Sequence, residues 1–288
     1  MNIAIASGKG GTGKTTISVA LSEYITKKGY NVVLADCDVE EPNTALFLNL
    51  GNKKTETVSV DIPKLNSIQC IGCSACEEIC KFSSIAMVNN LPLIFPDLCH
   101  SCGGCVLVCP TGALYYEKVP IGIFEQAKKG SLHYLGGLLN LGKIQTATII
   151  SYVKDKAKKI KSDFVIFDSP PGTSCPFVET VNGCDHLILV TEPTPFGLND
   201  LKLSVEAARA MNLDFSVLIN KNDEKEKTNI IEKFCKTEGI HIIATIPYER
   251  EIAFAYSTGD FKKTFINRYS NELENIAVFL KKINKKED

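Results

Sequence analysis

GKGGTGKT, residues 8 to 15, is the stretch whose reading decides the fold. It satisfies G-x-x-x-x-G-K-[ST], and each residue type has a physical reason. Gly8, Gly10, Gly11 and Gly13 let the backbone turn its N–H groups toward phosphate oxygens, and Lys14 is spaced to reach the β and γ oxygens. Thr15 offers a hydroxyl to magnesium, and Thr12 and Thr16 complete the nucleotide-contacting run with Lys9. Before it, NIAIAS (2 to 7) is a short apolar, β-prone segment; after it, TTISVALSEYITKKG (15 to 29) sets Ile17, Ala20, Leu21 and Tyr24 at helical spacing. Strand, glycine loop and helix is the context a phosphate loop requires.

Outward from the loop the same rhythm continues. NVVLADCD (31 to 38), DFVIFDSP (163 to 170), DHLILVTEP (185 to 193), DFSVLINK (214 to 221) and HIIATIPY (241 to 248) are near-continuous apolar runs. Helical segments such as LNDLKLSVEAARAMN and KTNIIEKFCKTEG lie between the later ones. Strands apolar on both faces that alternate with helices predict an α/β fold of the P-loop NTPase type, its mostly parallel sheet covered by helices on both faces. The rhythm breaks between the second run and DFVIFDSP. Residues 60 to 117 therefore read as an inserted domain, and residues 1 to 59 with 118 to 288 as one discontinuous P-loop domain. The glycine-rich stretch from Ile121 to Lys143 receives no assignment.

Eight of the twelve cysteines lie within the insert. C-x2-C-x2-C-x3-C occurs twice, and Cys70, Cys73, Cys76 and Cys80 map onto Cys99, Cys102, Cys105 and Cys109 at a constant offset of 29. This run is the bacterial ferredoxin pattern, in which the fourth cysteine ligates the other cluster. On that rule Cys70, Cys73, Cys76 and Cys109 hold one [4Fe-4S] cluster, and Cys80, Cys99, Cys102 and Cys105 hold a second, inside a ferredoxin-like α+β insert. Zinc is the competing reading, but its usual paired cysteines lack the third close one. Lys81 follows Cys80 where proline follows Cys109, a departure that touches the local turn and not the ligands.

Composition removes other classes. Of 288 residues, 32 are Lys or Arg and 33 are Asp or Glu, for a net charge of -1, so the basic surplus of a nucleic-acid binder is missing. No apolar run spans a bilayer, which argues against membrane insertion, and clustered cysteines suit metal ligation in a reducing compartment. The expectation is a cytoplasmic protein.

KGGTGKT, with Lys9 leading the loop, resembles the deviant Walker A motif of the MinD and ParA type of ATPase, the group that includes the nitrogenase iron protein. ADCDVEEPN (35 to 43) and DSPPGTSCP (168 to 176) look like its two switches, and EPTPFGLNDL (192 to 201) like a further segment. With its insert, the whole chain resembles MinD-superfamily ATPases that carry a ferredoxin domain, relatives also of Mrp-type iron–sulfur carriers. The resemblance implies that Lys9 reaches a partner's nucleotide across a homodimer, or a heterodimer with a related ATPase. It implies that Asp38 positions the attacking water, that Thr15, Asp36 and Asp168 organise magnesium, and that Asn220 and Pro247 lie against adenine. LINKND ends in N-K-x-D, which in GTPases reads guanine through its aspartate, here Asp223; the deviant loop favours ATP.

Together these imply an ATPase whose dimer closure governs electron transfer through two clusters to a redox partner. The alternative is an iron–sulfur cluster carrier or a maturation ATPase for another metalloprotein. Cys175 matches a cysteine that bridges subunits in the nitrogenase iron protein, though two thiolates of a symmetric pair fall short of four; a semi-buried thiol is preferred. Cys37, Cys184 and Cys235 read as packing, and His100 as an exposed loop residue. Leu273, Ile276, Ala277, Leu280 and Ile283 form a helical stripe, read as a helix docked on its own domain in preference to a membrane anchor.

Overall fold

The computed structural model describes residues 1–222, 225–258 and 261–284. β1 (Asn2–Ala6) enters the glycine loop and α1 (Lys14–Lys27) leaves it, followed by β2 (Val32–Asp36), α2 (Thr44–Leu48) and β3 (Lys54–Leu65). The insert holds α3 (Ala75–Ile79), the hairpin β4 (Ile85–Val88) and β5 (Leu91–Ile94), a 3-10 turn at Pro96–Leu98, and α4 (Gly104–Leu107). The chain returns through β6 (Leu114–Lys129), β7 (Leu132–Leu139), α5 (Thr146–Lys158), β8 (Phe164–Asp168), α6 (Cys175–Val181) and β9 (His186–Thr191). It closes with α7 (Pro195–Ala210), β10 (Phe215–Asn222), α8 (Lys225–Thr237), β11 (Ile242–Pro247), α9 (Arg250–Thr258), α10 (Phe261–Arg268) and α11 (Ser270–Asn284).

Among the described residues the main sheet has nine strands in the order β11-β10-β9-β1-β8-β2-β7-β6-β3. From β11 to β7 every pairing is parallel, while β6 runs antiparallel to β7 and β3 antiparallel to β6. β1 shows why both faces are covered. Ile3 and Ile5 enter a layer with Ile17, Leu21, Phe265 and Leu280 of α1, α10 and α11. Ala4 and Ala6 face the opposite layer, built from Ile149, Phe177, Val205 and Ile231 of α5, α6, α7 and α8. Each such Ile or Leu contributes about 1.5–3 kcal/mol by leaving water. The C-terminal stripe is part of this core: Leu273, Ile276, Ala277 and Leu280 of α11 are buried. Among the described residues no helix is long and apolar enough to cross a membrane.

The unassigned stretch after Ile121 is the inner half of β6 and all of β7, turned by Gly130 at φ 60°. β3 and β6 pair continuously from Lys54↔Gln126 to Leu65↔Leu114, so residues 60 and 117 lie inside a ribbon shared by the main sheet and the insert. Where Ser59 faces Pro120 the register shifts, and Ile121 is the extra residue beside a proline that has no N–H to give. The insert has little aliphatic core: its own buried cluster is Cys76, Ile85, Cys105 and Leu114.

Candidate functional site

The glycine loop ends at Gly13, whose φ of 96° is left-handed. A Cβ there would lie 2.3 Å from the Asn220 amide nitrogen, so glycine is required twice over. That nitrogen donates to the Thr12 carbonyl at 2.7 Å and pins the end of β10 to the loop. The loop borders a cavity of about 560 Å³. Of the residues expected to contact nucleotide or water, Gly10, Gly11, Gly13, Lys14, Thr15, Thr16, Asp38, Asn220 and Pro247 line it, and Glu41, Asn43, Pro171, Tyr248 and Tyr269 join them. Gly8, Lys9, Thr12, Asp36 and Asp168 do not line it. Thr12 is buried inside the loop, its hydroxyl without a hydrogen-bond partner. Asp223 lies outside the described residues.

Asp36 and Asp168 end adjacent strands and are buried. Asp168 accepts from Ser18 Oγ at 2.9 Å and from Thr44 Oγ1 at 3.2 Å. Asp36 accepts the backbone N–H of Thr44 at 3.0 Å and of Asp38 at 3.1 Å. Burial pushes both carboxyls up; Asp168's charge raises Asp36 further, while hydrogen bonds, led by Thr15 and Ser18 on Asp168, oppose the rise. Burial also lifts Asp38 to about 6, against an opposing backbone hydrogen bond at Glu41. It lowers Lys14, with Asp168 and Asp38 pulling the other way. Two buried carboxylates beside the Thr15 hydroxyl form a donor set that fits a hard divalent cation, which would restore their charged forms.

Lys9 turns to Glu192, at 3.1 Å from its carboxylate. Glu192 also holds Lys221 at 2.8 Å, whose ammonium donates to the Gly11 carbonyl at 2.6 Å. Burial would raise the Glu192 carboxyl, but hydrogen bonds from Lys221 and Lys9 hold it below the usual range. Ser18, Thr44 and Glu192 are the functional neighbours that the motifs missed. Ser18 follows Thr15 by one helical turn, a spacing that points both hydroxyls the same way. For Glu192 no local signal exists.

In the insert each expected ligand set borders one cavity. Cys70, Cys73, Cys76 and Cys109 line the first, with Ile71, Met87 and Thr111. Cys80, Cys99, Cys102 and Cys105 line the second, with Phe82, His100 and Ser101. The duplication extends to the backbone. Gly72 and Ser101, offset partners, are both left-handed, as are Ser74 and Gly103, the residues that open α3 and α4. Burial works to raise the Cys80 and Cys109 thiols. Hydrogen bonds from Ser84 and from backbone N–H groups two, four and five residues on hold Cys80 below its ordinary value, and the same backbone set with Thr111 does so for Cys109. Cys76 and Cys105 are raised by burial, Cys105 to about 11.

Among the described residues, no three His, Cys, Asp or Glu side chains are arranged to hold a single metal ion. Four soft cysteine sulfurs around one pocket, with N–H groups aimed at sulfur, are a donor set that fits an iron–sulfur cluster. Cys175 is exposed at the head of α6, while Cys37, Cys184 and Cys235 are buried. His100 is exposed and stacks on Phe82, ring centres 3.9 Å apart.

A family model described as the CobQ/CobB/MinD/ParA nucleotide binding domain matches residues 3–262. An uncharacterized protein of Methanocaldococcus jannaschii is 34% identical over 253 residues, 88% of this chain and 86% of its own. The iron-sulfur cluster carrier protein of Pyrococcus furiosus is 24% identical over 270 residues, 89% of this chain and 77% of its own. The septum site-determining protein MinD of Pyrococcus horikoshii, complexed with Mg-ADP, superposes with a TM-score of 0.55 at 19% identity, over 94% of this chain and 93% of that one. At that identity the superposition speaks for the fold alone, a MinD-like α/β arrangement. The family match runs from β1 into α10 and takes in the phosphate loop, and the chain belongs to the CobQ/CobB/MinD/ParA family of P-loop ATPases, with distant kinship to iron–sulfur cluster carriers.

Proposed function

We propose that this chain is an ATP-hydrolysing switch that holds two [4Fe-4S] clusters in its insert and serves iron–sulfur cluster carriage or the maturation of another metalloprotein. The observation that carries this reading is the presence, in one chain, of a phosphate loop and two four-cysteine cavities. Similarity to an iron-sulfur cluster carrier over 89% of the chain favours carriage over other uses of such clusters.

In this reading Lys14 neutralises the β and γ oxygens, and Asp38 orients the attacking water. Thr15, Asp36 and Asp168 would hold magnesium, which supplies charge neutralisation at the phosphoryl group. Asn220 and Pro247 flank the base of ATP. Lys9 leaves Glu192 and reaches the second nucleotide of a homodimer, or of a heterodimer with a related ATPase. Cys70, Cys73, Cys76 and Cys109 grip one cluster, and Cys80, Cys99, Cys102 and Cys105 the other, as cargo bound for an apo acceptor.

A second reading makes the clusters resident redox centres that pass electrons to a partner. The backbone N–H groups directed at Cys80 and Cys109 favour it, because hydrogen bonds to sulfur tune cluster potentials. Oxygen-free purification should yield iron and sulfide in equal amounts, about eight of each per chain. On addition of MgATP and an apo acceptor, clusters that leave support carriage, and clusters that stay bound while being reduced and reoxidised support electron transfer. Protein that contains zinc or bare thiols contradicts both.

A further inference from the structure

The two cysteine cavities are related by internal duplication, yet only one is built into the ATPase body. Cys99 is 7% exposed and belongs to the main core cluster that also holds Val60, Ile62 and Ile149, whereas its counterpart Cys70 is half-buried, flanked by Ile68 at 94% and Ile71 at 68% exposure. The Cys99 carbonyl accepts a hydrogen bond from Gln145 Nε2 at 2.9 Å, and Gln145 is itself buried. Beside it, Lys143 pairs with Asp97 at 2.7 Å. No described side chain of the P-loop domain has a hydrogen bond or ion pair of this kind to Cys70, Cys73 or Cys76.

Gln145 is the residue that opens α5, and α5 leads to the nucleotide site by two contacts. Near its start, the Leu139 N–H at the end of β7 donates to the carbonyl of Val39, next to Asp38, at 2.8 Å. One side of α5 packs so closely on β7 that a Cβ at Gly137 would lie 2.4 Å from Ile149 and 3.0 Å from Val39. Farther along, the buried ammonium of Lys154 donates to the carbonyls of Glu179, Thr180 and Asn182 at the C-terminal end of α6. α6 follows directly on the loop in which Pro171 lines the nucleotide cavity and the Gly172 N–H donates to the Ser7 carbonyl at 3.0 Å. A packed helix of this kind moves as a unit, so these contacts form a continuous path from both strand-end segments to its head.

We propose that the two cavities are inequivalent: the one formed by Cys80, Cys99, Cys102 and Cys105 is the proximal site, tied to the nucleotide switches through Gln145 and α5, and what it holds responds to nucleotide, while the Cys70 cavity is distal and does not. Gln145 is a positioning residue that acts through the Cys99 backbone. The inference rests on the reading of an ATPase bearing two clusters. It adds a direction, with coupling to nucleotide entering at the proximal site.

The test uses the full chain reconstituted anaerobically with ferrous iron and sulfide, in two forms that each keep one site. Cys73→Ser with Cys76→Ser leaves the proximal site, and Cys102→Ser with Cys105→Ser leaves the distal one. The rate of iron release to a ferrous chelator and the electron paramagnetic resonance spectrum of the reduced cluster are recorded with MgADP and with magnesium plus a non-hydrolysable ATP analogue. The proximal-only form should change its release rate by about fivefold or more between the two nucleotides, and the distal-only form should not. Gln145→Glu keeps the size but offers an acceptor where a donor is needed. It should abolish the response while leaving iron content and nucleotide affinity unchanged.

An equal response at both sites, a response confined to the distal site, or full retention of the response in Gln145→Glu overturns the proposal. If the single-site forms do not fold, the two spectra of the intact protein, one of them nucleotide-sensitive, provide the same comparison. Loaded, ATP-hydrolysing protein with neither site responding overturns the proposal alone; protein that takes up no iron overturns the functional reading with it.

Discussion

At the scale of single residues, Lys14 and Asp38 carry the sharpest expectations. Lys14→Ala should reduce ATP hydrolysis by about 10²–10³-fold, measured as phosphate release, while iron and sulfide content stay at the wild-type level. Asp38 titrates near 6, so its ionised fraction falls about tenfold per pH unit below that value. The hydrolysis rate should fall with it, and Asp38→Asn should flatten that acid limb as well as lowering the rate. Stability carries the opposite sign. The folded pKa lies above the unfolded 3.8, so the native state binds more protons between about 4 and 6, and stability falls as pH rises through that window. Asp36 and Asp168, also raised, act in the same direction. Denaturant midpoints measured across the window check this. The loop was readable in advance because its contacts are local in sequence. Glu192 was not: it meets Lys9 only because β9 lies beside β1 in the sheet, and nothing in EPTPFG announces that partner.

Elements divide in the same way, by whether they are buried on both faces. The six runs that read as strands became β1, β2, β8, β9, β10 and β11, whose continuous apolar character needs no knowledge of the partner. β3, β6 and β7 escaped assignment. β3 and the outer half of β6 form a two-stranded ribbon that gives Val58, Val60 and Ile62 to the core but leaves many residues facing water, and β7 accommodates α5 with glycine at position 137 where a strand usually has a branched side chain. The stripe of α11 was visible from spacing, and its docking on α1 and β11 accounts for it without a lipid surface. Leu280→Ala should therefore cost about 2–5 kcal/mol, read from denaturant unfolding, and the wild-type chain should show no salt-dependent binding to anionic vesicles. Vesicle binding by the wild-type chain would return α11 to the membrane.

For the molecule as a whole, the question is how a cysteine-rich insert coexists with a nucleotide-binding domain. Its own buried apolar cluster is small, so on the proposed reading the clusters would supply much of its order. Chelation of iron should accordingly loosen residues 66–113, seen as faster amide exchange, while β1, β8 and β9 keep their protection. Sequence alone exposed the duplication, because cysteine spacing is a local pattern. It could not expose the asymmetry between the copies, which arises from what the α/β body presses against one of them.

The β3–β6 ribbon has one further consequence. Leu65 and Leu114 face each other across it, and the Asn66 N–H bonds the Ala113 carbonyl at 2.8 Å, so the chain departs and comes back through a single doorway. An Asn-Gly link in place of residues 66 to 113 closes that doorway as an ordinary hairpin. The trimmed polypeptide should fold and cleave ATP yet remain colourless, making the cysteine-bearing part a detachable cassette.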